Sequence, residues 1–147
     1  MKICIVSSCG GHLTEARCLM PAYEMYDYFY VLNDRAILPK DMQGKTYFIS
    51  HSERDLKLLV NFYEALKIIL KEKPQVILST GAGPVVPFAI VGRLLFGIKV
   101  LFIESITRIH APSLTGRIMR YVATDLMYQW PMLKHDFPKG KYIGTLI

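Results

Sequence analysis

Short apolar runs alternate along this chain with longer stretches in which apolar residues return every three or four positions. The runs have strand length: Lys2 to Ser8, Tyr28 to Asn33, Lys45 to Ser50, Gln75 to Thr80, Val100 to Ser105, Asp125 to Trp130 and Tyr142 to Leu146. Several are apolar at consecutive positions, as strands covered by helices on both faces must be. The longer stretches predict helices from about Leu13 to Met25, Asp55 to Lys73, Val85 to Phe96 and Leu114 to Ala123. The second of these has the clearest pattern. Leu56, Leu59, Val60, Tyr63 and Leu66 share helical spacing, and Lys57, Asn61, Glu64 and Lys67 take other faces. Lys71 and Lys73 suit a helix C-terminus, and Pro74 ends it.

Strands that alternate with helices, without an internal repeat, a low-complexity segment or a linker, predict one α/β domain over residues 1–147. The expected architecture is a doubly wound parallel sheet, Rossmann-like. In the common strand order 3-2-1-4-5-6, the winding reverses between the first and fourth strands, and ligands bind beyond the carboxyl ends of the strands there. The loops at that point are Cys9 to His12 and Gly81 to Pro84, with Glu104 to Ser113 alongside.

Composition narrows the surroundings. The 147 residues are 52% hydrophobic and carry a formal charge of +6, with a mean hydropathy of +0.26. Residues 1–84 hold ten Lys/Arg against nine Asp/Glu, and residues 85–147 hold eight against three, so the second part supplies most of the excess. These cations are scattered among aliphatics, without a basic run or interleaved stacking aromatics, which argues against nucleic acid and for an anionic membrane surface or a phosphate-bearing substrate. Cys4, Cys9 and Cys18 form no metal-spaced set and no complete disulfide framework, as in a reducing compartment; Cys4 is expected to pack in a strand. The sequence opens directly into a strand, with no signal peptide expected. Its longest apolar run, Val85 to Phe96, is interrupted by Pro87 and Arg93. About 12 helical residues span roughly 18 Å against a hydrocarbon core of about 30 Å, so the run can lie on a bilayer but not cross one.

The candidate chemistry sits in the three loops. Gly10 and Gly11 permit close approach of a ligand to the backbone, and the helix starting near Leu13 aims its free N–H groups at the same cleft. The dinucleotide fingerprint GxGxxG is absent, and Asp34 is a poor match for the acid that accompanies it. The Gly-Gly-His run alone fits a plain turn as well as a binding loop. His12 belongs to the side-chain type that exchanges protons near neutral pH, and a helix-capping role is its other reading. His51, His110 and His135 have no metal-ligand spacing to it or to one another, and His51-Ser52-Glu53-Arg54 resembles a helix start. In the second loop, Ser79-Thr80-Gly81-Ala82-Gly83-Pro84, small residues again precede a helix, so two helix N-termini could meet one diphosphate. The third stretch ends a strand with Glu104, Ser105 and Arg108. Glu104 either pairs with Arg108, orients a histidine or holds a sugar hydroxyl.

Taken together, Ser8-Cys9-Gly10-Gly11-His12, Ser79 to Pro84, Ile103-Glu104-Ser105, Ser113-Leu114-Thr115-Gly116 and Gln129-Trp130-Pro131 resemble, in order and spacing, the family of asparagine-linked glycosylation protein 14. The bacterial branch of that family includes the PssD-like capsule and exopolysaccharide proteins. The resemblance implies the N-terminal, acceptor-side half of a GT-B glycosyltransferase split between two polypeptides. It implies a partner resembling PssE or asparagine-linked glycosylation protein 13, which binds most of the UDP-sugar, a substrate rather than a cofactor. The acceptor it implies is a lipid-diphosphate-linked sugar at the cytoplasmic face of a membrane. Eukaryotic members usually carry an N-terminal membrane anchor; its absence here favours a bacterial polysaccharide role with peripheral membrane contact.

On this reading His12 is the expected general base, with Glu104 orienting or replacing it. Gly10, Gly11, Thr80, Gly81, Gly83, Ser105 and Arg108 line the acceptor and phosphate site, and no metal is implied, since there is no carboxylate pair or DxD motif. Two other expectations compete: a non-catalytic anchor that stabilises its catalytic partner, and a stand-alone nucleotide-binding Rossmann module.

Overall fold

The computed structural model describes residues 1–33, 38–50 and 57–147. Asp34, the run His51-Ser52-Glu53-Arg54 and Leu56 lie outside the described residues. Among the described residues the chain runs β1 (Lys2–Ser7), α1 (Gly11–Cys18), α2 (Met20–Tyr23), β2 (Asp27–Leu32), β3 (Thr46–Phe48), α3 (Lys57–Glu72), β4 (Val76–Ser79), α4 (Val85–Phe96), β5 (Lys99–Ile103), α5 (Leu114–Val122), β6 (Asp125–Tyr128) and β7 (Lys141–Tyr142). The strands form one sheet in the order β3-β2-β1-β4-β5-β6-β7, and every pairing is parallel. The expected doubly wound order is therefore present, with the switch between β1 and β4.

Side-chain alternation along the central strands divides the core. Ile3, Ile5, Tyr30, Leu32, Val76 and Leu78 pack on the face with Ala16 and Tyr23 from α1 and α2. Cys4, Val6, Phe29, Val31, Ile77, Val100 and Phe102 face Ala65, Ile69, Phe88, Ala89 and Met119 from α3, α4 and α5. Both faces are buried under helices, which explains why these strands are apolar at consecutive positions. Cys4 is fully buried in that packing.

The differences from expectation have local causes. The helix expected from Leu13 to Met25 starts at Gly11 and breaks at Leu19, two residues before Pro21. Proline has no N–H to give the preceding turn, and its ring crowds the carbonyl four residues back. The last strand ends at Tyr142 rather than Leu146, because Gly144 turns the backbone with φ of 75° and the Leu146 amide bonds a side chain, Gln129 Oε1, at 2.8 Å instead of a strand. Helix α4 keeps the bounds its pattern predicts, and Val85, Pro87, Phe88, Ala89, Val91 and Gly92 are buried along it.

Candidate functional site

Gly10 takes φ of 100° and forms the N-cap of α1, where no side chain caps the helix and no acid stands in its first turn. Gly10 and Gly11 are exposed, and His12 follows in that same first turn, half-buried. This helix start follows the carboxyl end of β1 with no capping side chain, a favourable place for an anion.

His12 is fastened to the neighbouring loop by a reciprocal pair of bonds. The Thr80 hydroxyl donates to the His12 carbonyl at 2.6 Å, and the imidazole Nδ1 lies 3.1 Å from the Thr80 carbonyl oxygen. A carbonyl only accepts, so the bond places the proton of a neutral ring on Nδ1 and leaves Nε2 with the lone pair. Beneath the ring lies Gly81, with φ of 126°; a Cβ there would sit 2.6 Å from both Nδ1 and Cε1. The loop keeps this shape because the Ser79 hydroxyl donates to the Gly81 carbonyl at 2.7 Å. The start of α4 is less open than that of α1: the Val85 and Val86 amides donate to the carbonyls of Ala82 and Gly83 within their own loop. The two helix starts expected to share one diphosphate are thus unequal.

Glu104 follows β5 directly and is held in a different way. Fully buried, its carboxylate accepts from the Ser113 hydroxyl at 2.8 Å, the Ser113 amide at 3.1 Å and the Ser105 amide at 3.2 Å. Ser113 is also the N-cap of α5, accepting from the Gly116 amide, so Glu104 occupies the positive end of that helix from inside. Burial pushes its carboxyl above the ordinary range, against the opposing pull of the Ser113 and Ser105 bonds and the Arg108 charge. The expected bond from Glu104 to His12 is not made: the Glu104 oxygens are spent on Ser113 and Ser105, and His12 Nδ1 turns to Thr80. Arg108, the other expected partner of Glu104, is exposed.

The candidate residues therefore sort into two groups. Gly10, Gly11, Gly83 and Arg108 are exposed and His12 is half-buried, whereas Thr80, Gly81, Glu104 and Ser105 are buried. The hydroxyls of Thr80 and Ser105 are committed inside the protein, to the His12 carbonyl and to Glu15 Oε1. These two shape the loops rather than offering their hydroxyls to a ligand. Sequence reasoning misses Glu15, a buried carboxylate one turn along α1 from His12. Its signal is present in the helical spacing of His12 and Glu15, which puts both on one side of α1. A recess of about 410 Å³ lined by Arg120, His135, Phe137 and Lys139 lies beside the start of β7 and the end of α5, away from the glycine loops.

Residues 42–146 match the family described as Oligosaccharide biosynthesis protein Alg14 like. The UDP-N-acetylglucosamine transferase subunit ALG14 of Mus musculus is 26% identical over an alignment of 181 residues that covers 100% of this chain and 83% of the mouse protein. Its counterpart from Candida albicans is 34% identical over 171 residues, covering 99% of this chain and 78% of that one. Among solved structures, MurG of Acinetobacter baumannii superposes with a TM-score of 0.78 at 20% identity, over 98% of this chain and 44% of MurG. The UDP-GlcNAc 2-epimerase of Methanocaldococcus jannaschii, in complex with UDP-GlcNAc and UDP, gives 0.73 at 17%, over 95% of this chain and 43% of the epimerase. The chain spans less than half of each of these two proteins, and what it shares with them is the fold: one Rossmann-like unit. With its family match across most of its length and relatives aligned over nearly all of it, the chain belongs to the Alg14-like family of oligosaccharide biosynthesis proteins.

Proposed function

We propose that this chain, as a single domain, is the acceptor-side subunit of a two-chain glycosyltransferase, with His12 as its general base. One observation carries the reading: His12 is held by Thr80 with Nε2 free, in the first turn of α1, beside exposed Gly10 and Gly11. The acceptor hydroxyl gives its proton to Nε2 while its oxygen bonds to the anomeric carbon of the donor sugar. The bond from that carbon to the diphosphate oxygen breaks, and UDP leaves with the electron pair. The amides at the start of α1, with Gly83 and Arg108 at the rim, suit the phosphates of a lipid-diphosphate-linked acceptor. The relatives named for UDP-N-acetylglucosamine transfer make UDP-GlcNAc the first donor to try. Lipid-linked oligosaccharide, capsule or exopolysaccharide assembly is the setting the resemblance implies.

A lone Rossmann-like unit leaves the crevice without its second wall. The second wall is the partner's, a PssE-like chain that binds the nucleotide and contacts the segment from Lys141 to Ile147. No helix among the described residues is long and apolar enough to cross a membrane. Contact with the cytoplasmic leaflet falls to α5, whose exposed Leu114, Ile118 and Tyr121 recur at helical spacing with exposed Arg117 and Arg120 between them, and to the neighbouring Leu94 and Leu95 at the end of α4.

The test is to co-purify the partner, then supply the pair with UDP-GlcNAc and other UDP-sugars and a polyprenyl-diphosphate sugar. Transfer by the pair and its loss by about two to four orders of magnitude in His12→Ala are expected. Undiminished transfer by His12→Ala would leave the chain an anchor, and tight nucleotide binding by the isolated chain would favour the stand-alone module.

A further inference from the structure

Glu15 is 2% exposed and Gln129 is fully buried, and between them they join four parts of the chain. The Glu15 carboxylate accepts from the Ser105 hydroxyl at 2.7 Å, the Ile106 amide at 3.2 Å and Gln129 Nε2 at 3.0 Å. Gln129 Nε2 also donates to the Glu104 carbonyl at 3.1 Å, and Gln129 Oε1 accepts the Leu146 amide at 2.8 Å. The loop after β5 is held a second time by Trp130, whose indole N–H donates to the Ile106 carbonyl at 2.6 Å. A carboxylate this deep, bonded to neutral donors among the described residues, costs more to bury than an apolar side chain of the same size. In return it supplies direction, fixing amides and a hydroxyl from separate elements at set spacings.

We propose that Glu15 is the positioning residue for His12. From the turn after His12 it locks α1 against the loop after β5, and Gln129 extends the lock to the C-terminal segment. The site of partner contact and the seat of the base thereby share one buried network. This inference rests on the reading of His12 as base, and it adds how that base is held.

Geometry rather than charge predicts a specific rescue. In Glu15→Gln the new amide oxygen can still accept from Ile106 and Gln129, while its nitrogen donates to Ser105. The Ser105 hydroxyl reverses its role easily because Thr107 Oγ1, 3.2 Å away, can serve it as donor or acceptor. Glu15→Ala takes the acceptor from the Ile106 amide and leaves Gln129 Nε2 only the Glu104 carbonyl and the Ser105 hydroxyl only Thr107 Oγ1.

The pair is assayed with UDP-GlcNAc and a polyprenyl-diphosphate sugar as probes, alongside amide hydrogen exchange on this chain. Glu15→Ala should lower kcat by about tenfold to a hundredfold, the scale of a small misplacement of a reacting group. KM for UDP-GlcNAc should hold within about twofold, and exchange at Ile106 and Leu146 should accelerate. Glu15→Gln should keep kcat within about threefold of the unaltered pair. If Glu15→Ala does not fold, Gln129→Leu takes its place, removing one donor and the tie to Leu146, and the same loss confined to kcat is expected. Full kcat in the folded variant, with His12→Ala inactive, overturns the positioning role and leaves the base in place. Full turnover by His12→Ala removes the base and the positioning role together. A loss in Glu15→Gln as deep as in Glu15→Ala also overturns the proposal, since charge would then be what matters.

Discussion

Thr80 and His12 hold each other through their backbones: the Thr80 hydroxyl reaches the His12 carbonyl at 2.6 Å, and His12 Nδ1 reaches the Thr80 carbonyl at 3.1 Å. Thr80→Val keeps the shape of the side chain and removes the donor, leaving a carbonyl short of its partner. Unfolding in urea should show a loss of about 1–2 kcal/mol. Transfer by the partner-bound pair should fall by about tenfold as the imidazole loses its register. Thr80→Ser retains the hydroxyl and should restore most of both. Equal losses in the two variants would show that the methyl group, and not the hydrogen bond, matters at this position.

Gly81 is closed to any side chain for two independent reasons. Its φ of 126° is one that L-residues rarely adopt, and a Cβ would meet the His12 ring at 2.6 Å. Gly81→Ala should therefore cost about 1–3 kcal/mol in unfolding free energy and displace the imidazole from Thr80. The His12 ring resonances in a two-dimensional NMR spectrum should shift in the folded variant. At Gly83 a Cβ would find no other atom within 4 Å, and φ is not positive, so Gly83→Ala should change stability by less than about 0.5 kcal/mol.

The strands and the bounds of α4 are legible in the sequence because they depend on local periodicity, and the strand order with its switch between β1 and β4 is the common arrangement of such βα units. What escapes is long-range. The partners of Glu15 lie 90 residues away at Ser105 and 114 away at Gln129, and no local pattern announces such a meeting. Hydroxyls at strand ends commonly meet ligands, and the sequence suggests that role for Thr80 and Ser105. Their burial against His12 and Glu15 depends on how the loops fold back, which spacing does not encode. His12 lies in the first turn of α1, tied to the loop after β4, and the group that holds its ring is the Thr80 backbone carbonyl rather than Glu104.

Gly116 lets Glu104 approach the start of α5. A Cβ on Gly116 would lie 1.9 Å from Glu104 Oε2 and 3.2 Å from the Phe137 ring. Gly116→Ala should destabilise the fold by at least about 2 kcal/mol, since the carboxylate is held by Ser113 and Ser105 and has no free direction of retreat. Combining it with Glu104→Ala should cost less than the sum of the two single changes. A double-mutant cycle by urea unfolding reads that coupling directly, and strict additivity would place the conflict elsewhere, at Phe137.

The raised pKa of Glu104 has a definite consequence for stability against pH. Its folded form holds a proton over a range above 4.5, the value for an unperturbed glutamate, where the unfolded chain has already released it. The folded state then binds more protons, so the unfolding free energy contributed by Glu104 is fully present below the unfolded pKa and declines as pH rises through the folded one. Glu104→Gln cannot ionise. Urea midpoints taken at intervals upward from about pH 4.5 should fall more steeply for the unaltered protein than for Glu104→Gln. Parallel curves would mean that the carboxylate is as comfortable inside as in water.

The surface of α5 makes the membrane reading testable without the partner. Tyr121 is 73% exposed and Leu114 57% exposed, with only Arg120 laid over the Tyr121 ring among the described residues, whereas an interfacial helix would bury both among lipid headgroups. Arg117 and Arg120 lie between them, each worth about 1 kcal/mol against an anionic surface. Replacing both with alanine should therefore weaken sedimentation with vesicles containing phosphatidylserine by roughly tenfold to thirtyfold at low salt. Leu114→Ser with Tyr121→Ser should weaken it at every salt concentration, because apolar insertion is not screened. Neither pair supports the core, so melting temperatures should stay close to that of the unaltered chain. Unchanged binding to anionic vesicles in both pairs would take α5 away from the membrane and offer its apolar face to the partner chain instead.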